Sequence, residues 1–321
     1  MSVLVADAED VYDSFSYGFE RPDAIRDFLA YASTGYRLPA PSYALIMGDA
    51  SIDTKEYQGF KTNYVPTKFI ETSQAYIGSD GWIAAFAGAD MLPDVYFGRL
   101  PVSTAVEADG VVAKIMNYES SAADPFSNTS ILVSDVTADF DFENAVTNVV
   151  AGSIPGYISS TRLYSTAPGA RASLTAKWNA GVGLVHFAGH GAADFWGGSV
   201  KVFTNADARA LTNGLKLPLV LVSNCVSANF TLHKVAFECV GEDLIENPSG
   251  GAIAVFASSG FTTPLGQAEL NRYLLERYYA GVNRAGVLAD EAKRHIYSQG
   301  DAFGEILETW TLLGDPATLL K

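Results

Sequence analysis

Apolar residues in this chain come in two rhythms. Short, largely apolar runs at 43–47, 130–134, 182–188, 217–222 and 252–257 have the length and composition of buried strands, 95–102 reads as a strand with its exit turn, and a further strand is expected near 158–163. Between them lie stretches whose apolar positions recur three or four apart, and these predict helices over 21–35, 104–119, 142–150, 172–179, 206–211, 240–246, 266–279 and 287–298. Pro22 in a first turn and Gly35 past a last one bound the first of these helices; Ile25, Phe28 and Leu29 supply its buried stripe. Thr104 and Glu107 form a capping box that opens the second, with Ala108, Val111, Val112 and Ile115 on one face. Residues 2–6 read as a short strand and 7–13 as an acidic turn.

Strands alternating with helices in this way predict an α/β fold with a mostly parallel sheet covered by helices on both faces. The segment 120–125 has small residues, a proline and no core candidates, so it is the expected boundary between two α/β lobes, 1–125 and 126–321. A chain of 321 residues with 48% apolar content has enough core for two such lobes.

Charge narrows the partners. Lys and Arg number 21 against 36 Asp and Glu, a net charge of −15, and no basic cluster is present, which argues against nucleic acid or an anionic membrane. No apolar run is long enough to span a membrane, and the first residues do not form a signal peptide. Cys225 and Cys239 are the two cysteines, and both are expected to be free thiols.

Two of the apolar runs stop at a reactive side chain. One passes through His186 to Gly189-His190-Gly191, the other through Ser223-Asn224 to Cys225. Parallel strands deliver their carboxyl ends to one crevice, so an imidazole and a thiol 35 positions apart in sequence can converge there. The pair suits nucleophilic catalysis, because a thiol near neutral pH is mostly protonated and needs an imidazole to take its proton or to supply one to a leaving amine. The backbone N–H groups of Gly191 and Cys225 could hold an oxyanion. Taken singly, each side chain also fits a plain structural role, Cys225 as a buried thiol and His190 as a satisfied strand-end residue. His186 and His190 stand four apart but in a strand, which makes a zinc pair improbable; His186 reads as a sheet residue, and His233 and His295 as surface residues. The chain has neither a Gly-x-Ser-x-Gly elbow nor a phosphate-binding glycine loop.

The segments Phe187-Ala188-Gly189-His190-Gly191 with Trp196, and Val222-Ser223-Asn224-Cys225-Val226-Ser227-Ala228-Asn229-Phe230, resemble the gingipain-type cysteine peptidases of the caspase and legumain clan. The likeness continues through Gly241-Glu242-Asp243-Leu244, 247–254 and 309–316. It implies that the second lobe is caspase-like, and that Cys225 and His190 are the catalytic dyad of an endopeptidase. Asp135 matches by position the carboxylate beside the histidine, where arginine-specific relatives have Glu. Asp139 falls near the acidic residue that reads a P1 arginine, a place that Asp141 or Glu143 could also take, and the resemblance places Trp196, Ser258 and Ser259 among the substrate contacts. It further implies export to the cell surface or medium, a peptide or protein substrate, no cofactor for the chemistry, and a structural calcium ion in the first lobe. Asp49, Asp53, Asp80 and Asp90 offer the oxygen donors such an ion takes, although each also suits a capping or solvated role. Two other outcomes fit the same residues: a transpeptidase of a secretion system, in which an amine resolves the thioester, and a catalytically silent binding scaffold.

Overall fold

The computed structural model describes residues 2–36, 38–59, 62–88, 90–122, 125–232, 238–300 and 304–321. Eight strands form one sheet, in the order Tyr43–Met47, Tyr96–Leu100, Trp310–Leu313, Ala254–Ser258, Leu219–Ser223, Leu184–Ala188, Thr129–Ser134 and Ser159–Tyr164. Neighbours run parallel except at Ala254–Ser258 against Trp310–Leu313, where Val255 faces Leu313 and Ser258 faces Trp310 in antiparallel register. Strand direction therefore reverses once across the sheet. The central strands Leu184–Ala188, Leu219–Ser223 and Ala254–Ser258 are buried at every position, which is why their sequences are mostly apolar and their polar residues His186, Ser223 and Ser258 are hydrogen-bonded.

The expected lobes meet in this sheet. Trp310–Leu313, from the far end of the chain, lies between Tyr96–Leu100 and Ala254–Ser258: Leu313 pairs with Arg99 on one side and Val255 on the other. Of the boundary segment 120–125, Ala123 and Asp124 lie outside the described residues.

Helix ends follow the local chemistry. The Thr104 hydroxyl accepts from the Glu107 N–H at 3.2 Å while Glu107 accepts from the N–H groups of Ser103 and Thr104, opening Ala105–Ser120 as expected. Pro22 starts Pro22–Gly35. At the amino end the reading needs correction. Residues 2–6 pair with no strand among the described residues, and Val3, Leu4 and Val5 are exposed. Asp7 instead caps a helix, Ala8–Ser16, by accepting from the Glu9 N–H at 2.9 Å. The antiparallel pair Lys68–Glu71 and Tyr76–Ser79, the helix Gly304–Thr309 and the strand Trp310–Leu313 were not anticipated from periodicity.

One buried ion pair ties Asp80 to the strand Tyr96–Leu100. Arg99 and Asp80 are almost fully buried and bonded through Nε at 2.6 Å and Nη2 at 2.8 Å. Arg99 Nη1 also donates to the carbonyls of Gly48 and Val65, Thr67 donates to Asp80, and the guanidinium lies 4.7 Å from the Phe230 ring centroid. Replacing one partner of such a pair strands the other charge without solvent. Arg99→Met is expected to lower unfolding free energy by about 3–5 kcal/mol, read by urea denaturation.

Candidate active site

Three adjacent parallel strands end level with one another. Ser134 pairs with Ala188, and Ala188 with Ser223, so the chains of Asp135, His190 and Cys225 leave the sheet at the same edge. The ladder runs one step further: the Asp135 N–H donates to Ala188 O at 2.8 Å and the Gly189 N–H to Ser223 O at 3.1 Å. Gly189 is required there, because a Cβ would sit 2.3 Å from the Asp135 Cβ. The edge is open where it matters, with the His190 side chain 47% exposed and Cys225 partly exposed.

The histidine loop is held by its backbone. The His190 N–H donates to Asp135 Oδ2 at 3.3 Å and the His190 carbonyl accepts from the Gly197 N–H at 2.9 Å. Asp135 is nearly buried; its Oδ2 also takes the Gly198 N–H at 2.9 Å and its Oδ1 the Ser165 hydroxyl at 2.7 Å. The carboxylate expected on the imidazole is thus used on the loop. Asp139 reaches the ring instead: its Oδ2 lies 2.9 Å from His190 Nε2, and it is 66% exposed. Hydrogen bonds from Thr137, from its own backbone and from His190 hold the Asp139 carboxyl below the usual carboxylate range. Phe142 packs its edge against the imidazole at 5.0 Å between centroids.

Cys225 sits on a strained turn. Val226, a β-branched residue, adopts φ 58°, a conformation that costs on the order of 1–3 kcal/mol and that must be held by its surroundings. The holding bonds run from the Val226 N–H to Gly260 O at 3.1 Å and from the Ala228 N–H to Ser258 O at 3.0 Å. Burial pushes the Cys225 thiol up, and its sulfur lies 4.0 Å from Thr262 O. Cys239 is fully buried at the start of helix Val240–Glu246, and neither cysteine forms a disulfide among the described residues.

Several expected contacts lie elsewhere. Trp196 is fully buried, stacked on Phe187 at 5.1 Å and packed against Phe203 at 4.8 Å, so it is core rather than a substrate contact. Ser258 and Ser259 are also buried. The first hydrogen-bonds Gly260 and the second donates to the carbonyls of Gly78 and Thr309, which leaves neither hydroxyl facing a groove. His186 is buried in its strand with Nε2 3.0 Å from the Ser223 hydroxyl, and burial pushes it down to about 3, so it is neutral. His295 is stacked on Tyr273 and bonded to Glu269 rather than solvated at the surface. His233 lies outside the described residues.

The four aspartates considered for calcium do not fit a shared ion. Asp80 is committed to Arg99 and Thr67. Asp49 accepts from Ala50 and Ser103, Asp53 from the N–H groups of Tyr57 and Gln58, and Asp90 from Leu92. Among the described residues no three acidic, histidine or cysteine side chains gather as a metal site.

Two groups near the sulfur escaped the sequence reading. Asn224 is almost fully buried, and neither amide atom meets a hydrogen-bond partner among the described residues. Gln267, on helix Pro264–Tyr279, bonds the Asn224 carbonyl at 3.3 Å. A polar residue inside that helix's buried stripe, beside Ala268 and Leu270, is the signal that could have found it.

A family model for peptidase family C25 matches residues 1–321. The chain belongs to peptidase family C25. Gingipain R2 and a gingipain R1 of Porphyromonas gingivalis are each 25% identical over 272 residues, covering 76% of this chain and 35% and 26% of their own. Lys-gingipain W83 of the same organism is 23% identical over 274 residues, covering 84% of this chain and 14% of its own. The chain thus spans about a third or less of the length of these curated relatives. The crystal structure of the Arg specific cysteine proteinase gingipain R matches with a TM-score of 0.76 at 23% identity, covering 98% of this chain and 71% of that one. That likeness supports the C25 fold, a large mostly parallel sheet flanked by helices. No described helix of this C25 chain is long and apolar enough to cross a membrane.

Two outcomes follow for the site. A Cβ on Gly191 would lie 2.3 Å from Asn224 Nδ2 and 2.9 Å from Phe195 O, so Gly191→Ala is expected to cost about 1–3 kcal/mol of stability by overpacking, measured by thermal melting. The alkylation rate of resting Cys225 by iodoacetamide should climb through a pH midpoint above that of free cysteine measured alongside, because burial disfavours its thiolate.

Proposed function

We propose that this C25 chain is a cysteine endopeptidase that cleaves after Arg or Lys. Cys225 attacks the scissile carbonyl, His190 takes the thiol proton and passes it to the leaving amine, and water then hydrolyses the thioester. The backbone N–H groups of Gly191 and Cys225 hold the oxyanion. Asp135 acts one step back by fixing the His190 loop. The observation that carries this reading is the level ending of the strands before His190 and Cys225, with both side chains reachable from solvent.

The basic P1 preference rests on Asp139, an exposed carboxylate beside the imidazole. A guanidinium or ammonium from substrate would take that carboxylate in a charge-assisted bond and free the imidazole from it. The 1–125 and 126–321 lobes are proposed as first and catalytic units, a division supported by the pairing of Tyr43–Met47 with Tyr96–Leu100, which meet the rest of the sheet only at Trp310–Leu313. Secretion or display at the cell surface, and protein substrates, complete the reading.

Cys225→Ala and His190→Ala should each abolish cleavage of Arg-P1 and Lys-P1 fluorogenic peptides while retaining the wild-type melting curve. Full activity in Cys225→Ala would remove the peptidase reading. Asp139→Asn should reduce the preference for Arg over an uncharged P1 of equal length by about ten- to a hundredfold in kcat/KM, the loss expected for one hydrogen bond to a charged group.

A further inference from the structure

Helix Pro264–Tyr279 packs against the cysteine strand, and two of its buried side chains one turn apart meet the strand's end. Asn271 Nδ2 donates to the Ser223 hydroxyl at 2.8 Å, the same hydroxyl that meets His186. Gln267, 2% exposed, presents Nε2 to Asn224 O at 3.3 Å, Thr262 O at 3.2 Å and Thr262 Oγ1 at 2.9 Å. Two amide protons thus serve three acceptors. Both carbonyls belong to the sulfur's surroundings: Asn224 O lies in the peptide that enters Cys225, and Thr262 O is the acceptor facing Sγ.

We propose that Gln267 is a positioning residue for Cys225, one buried amide that ties the two segments flanking the sulfur and takes up the lone pairs of the carbonyl in front of it. A carbonyl oxygen that already accepts an N–H presents a weaker negative field to a neighbouring thiolate, and in a buried setting that difference is felt strongly. Without the amide, the Thr262 carbonyl turns its full dipole on the sulfur and the strained turn at Val226 loses a brace. The inference rests on Cys225 being the nucleophile, as proposed above.

The test uses the full chain, with wild type, Gln267→Met, which keeps the volume and removes the donors, and Gln267→Glu. Three readouts are taken: kcat and KM on an Arg-P1 peptide, the pH midpoint of Cys225 alkylation by iodoacetamide followed by mass spectrometry, and the melting temperature. Gln267→Met is expected to lose on the order of tenfold in kcat with KM nearly unchanged, and to alkylate with a higher midpoint. Gln267→Glu should recover rate relative to Gln267→Met as pH falls, since only its protonated carboxyl can donate. A wild-type midpoint and kcat in Gln267→Met, with or without a lower melting temperature, would overturn the assignment. Failure of both variants to fold would overturn it too, by making Gln267 part of the scaffold. The alkylation midpoint needs no peptide. A wild type that cleaves nothing, yet shows the midpoint shift in Gln267→Met, would therefore sink the peptidase reading and leave the positioning role standing.

Discussion

Backbone hydrogen bonding among three parallel strands decides where chemistry can occur in this molecule. With Ser134, Ala188 and Ser223 side by side, the residues beyond them have no freedom to separate along the strand axis. A slip of one residue in either pairing would turn His186 and its neighbours to the opposite face and move His190 away from the cysteine edge. Burial on both faces forbids that slip, since every residue of these two inner strands is packed. The precision of the site is therefore inherited from the core.

Around that edge, polar groups divide the labour. Asp135 spends both oxygens on loop N–H and hydroxyl donors, and Asp139 is the carboxylate bonded to the imidazole. The cysteine turn depends on bonds from the neighbouring segment 258–262 and from helix Pro264–Tyr279. Loop residues carry the reacting groups while strands and a helix fix them, the division expected where flexible segments must be placed accurately.

Much of this was legible beforehand. Apolar runs ending at His190 and Cys225 revealed both strands and their reactive ends, because a parallel strand buried on two faces leaves an unmistakable pattern. The capping box at Thr104 was equally plain. Trp310–Leu313 was not: four residues containing a threonine, running on from the helix Gly304–Thr309 without a turn signal, show neither period clearly. Trp196 misled because its partners Trp178, Phe187 and Phe203 are brought to it by three separate elements, and nothing local reveals that an aromatic next to a reactive histidine is fully enclosed. The acidic residues misled in the same way. Asp80 looks like a cation ligand until Arg99 is found filling that place, and only the tertiary fold brings the two together.

Trp310–Leu313 also bears on how the protein is made. It is the seam of the sheet, and its partner Arg99 lies far upstream, a closure spanning roughly two hundred residues whose entropy must be lost before any pairing rewards it. During synthesis, Tyr96–Leu100 and Ala254–Ser258 emerge long before the segment that joins them, and each waits with a bare edge. A ribosome-bound chain that has not yet released this seam holds two half-sheets with nothing to weld them, a stage at which a chaperone that shields strand edges would find its substrate.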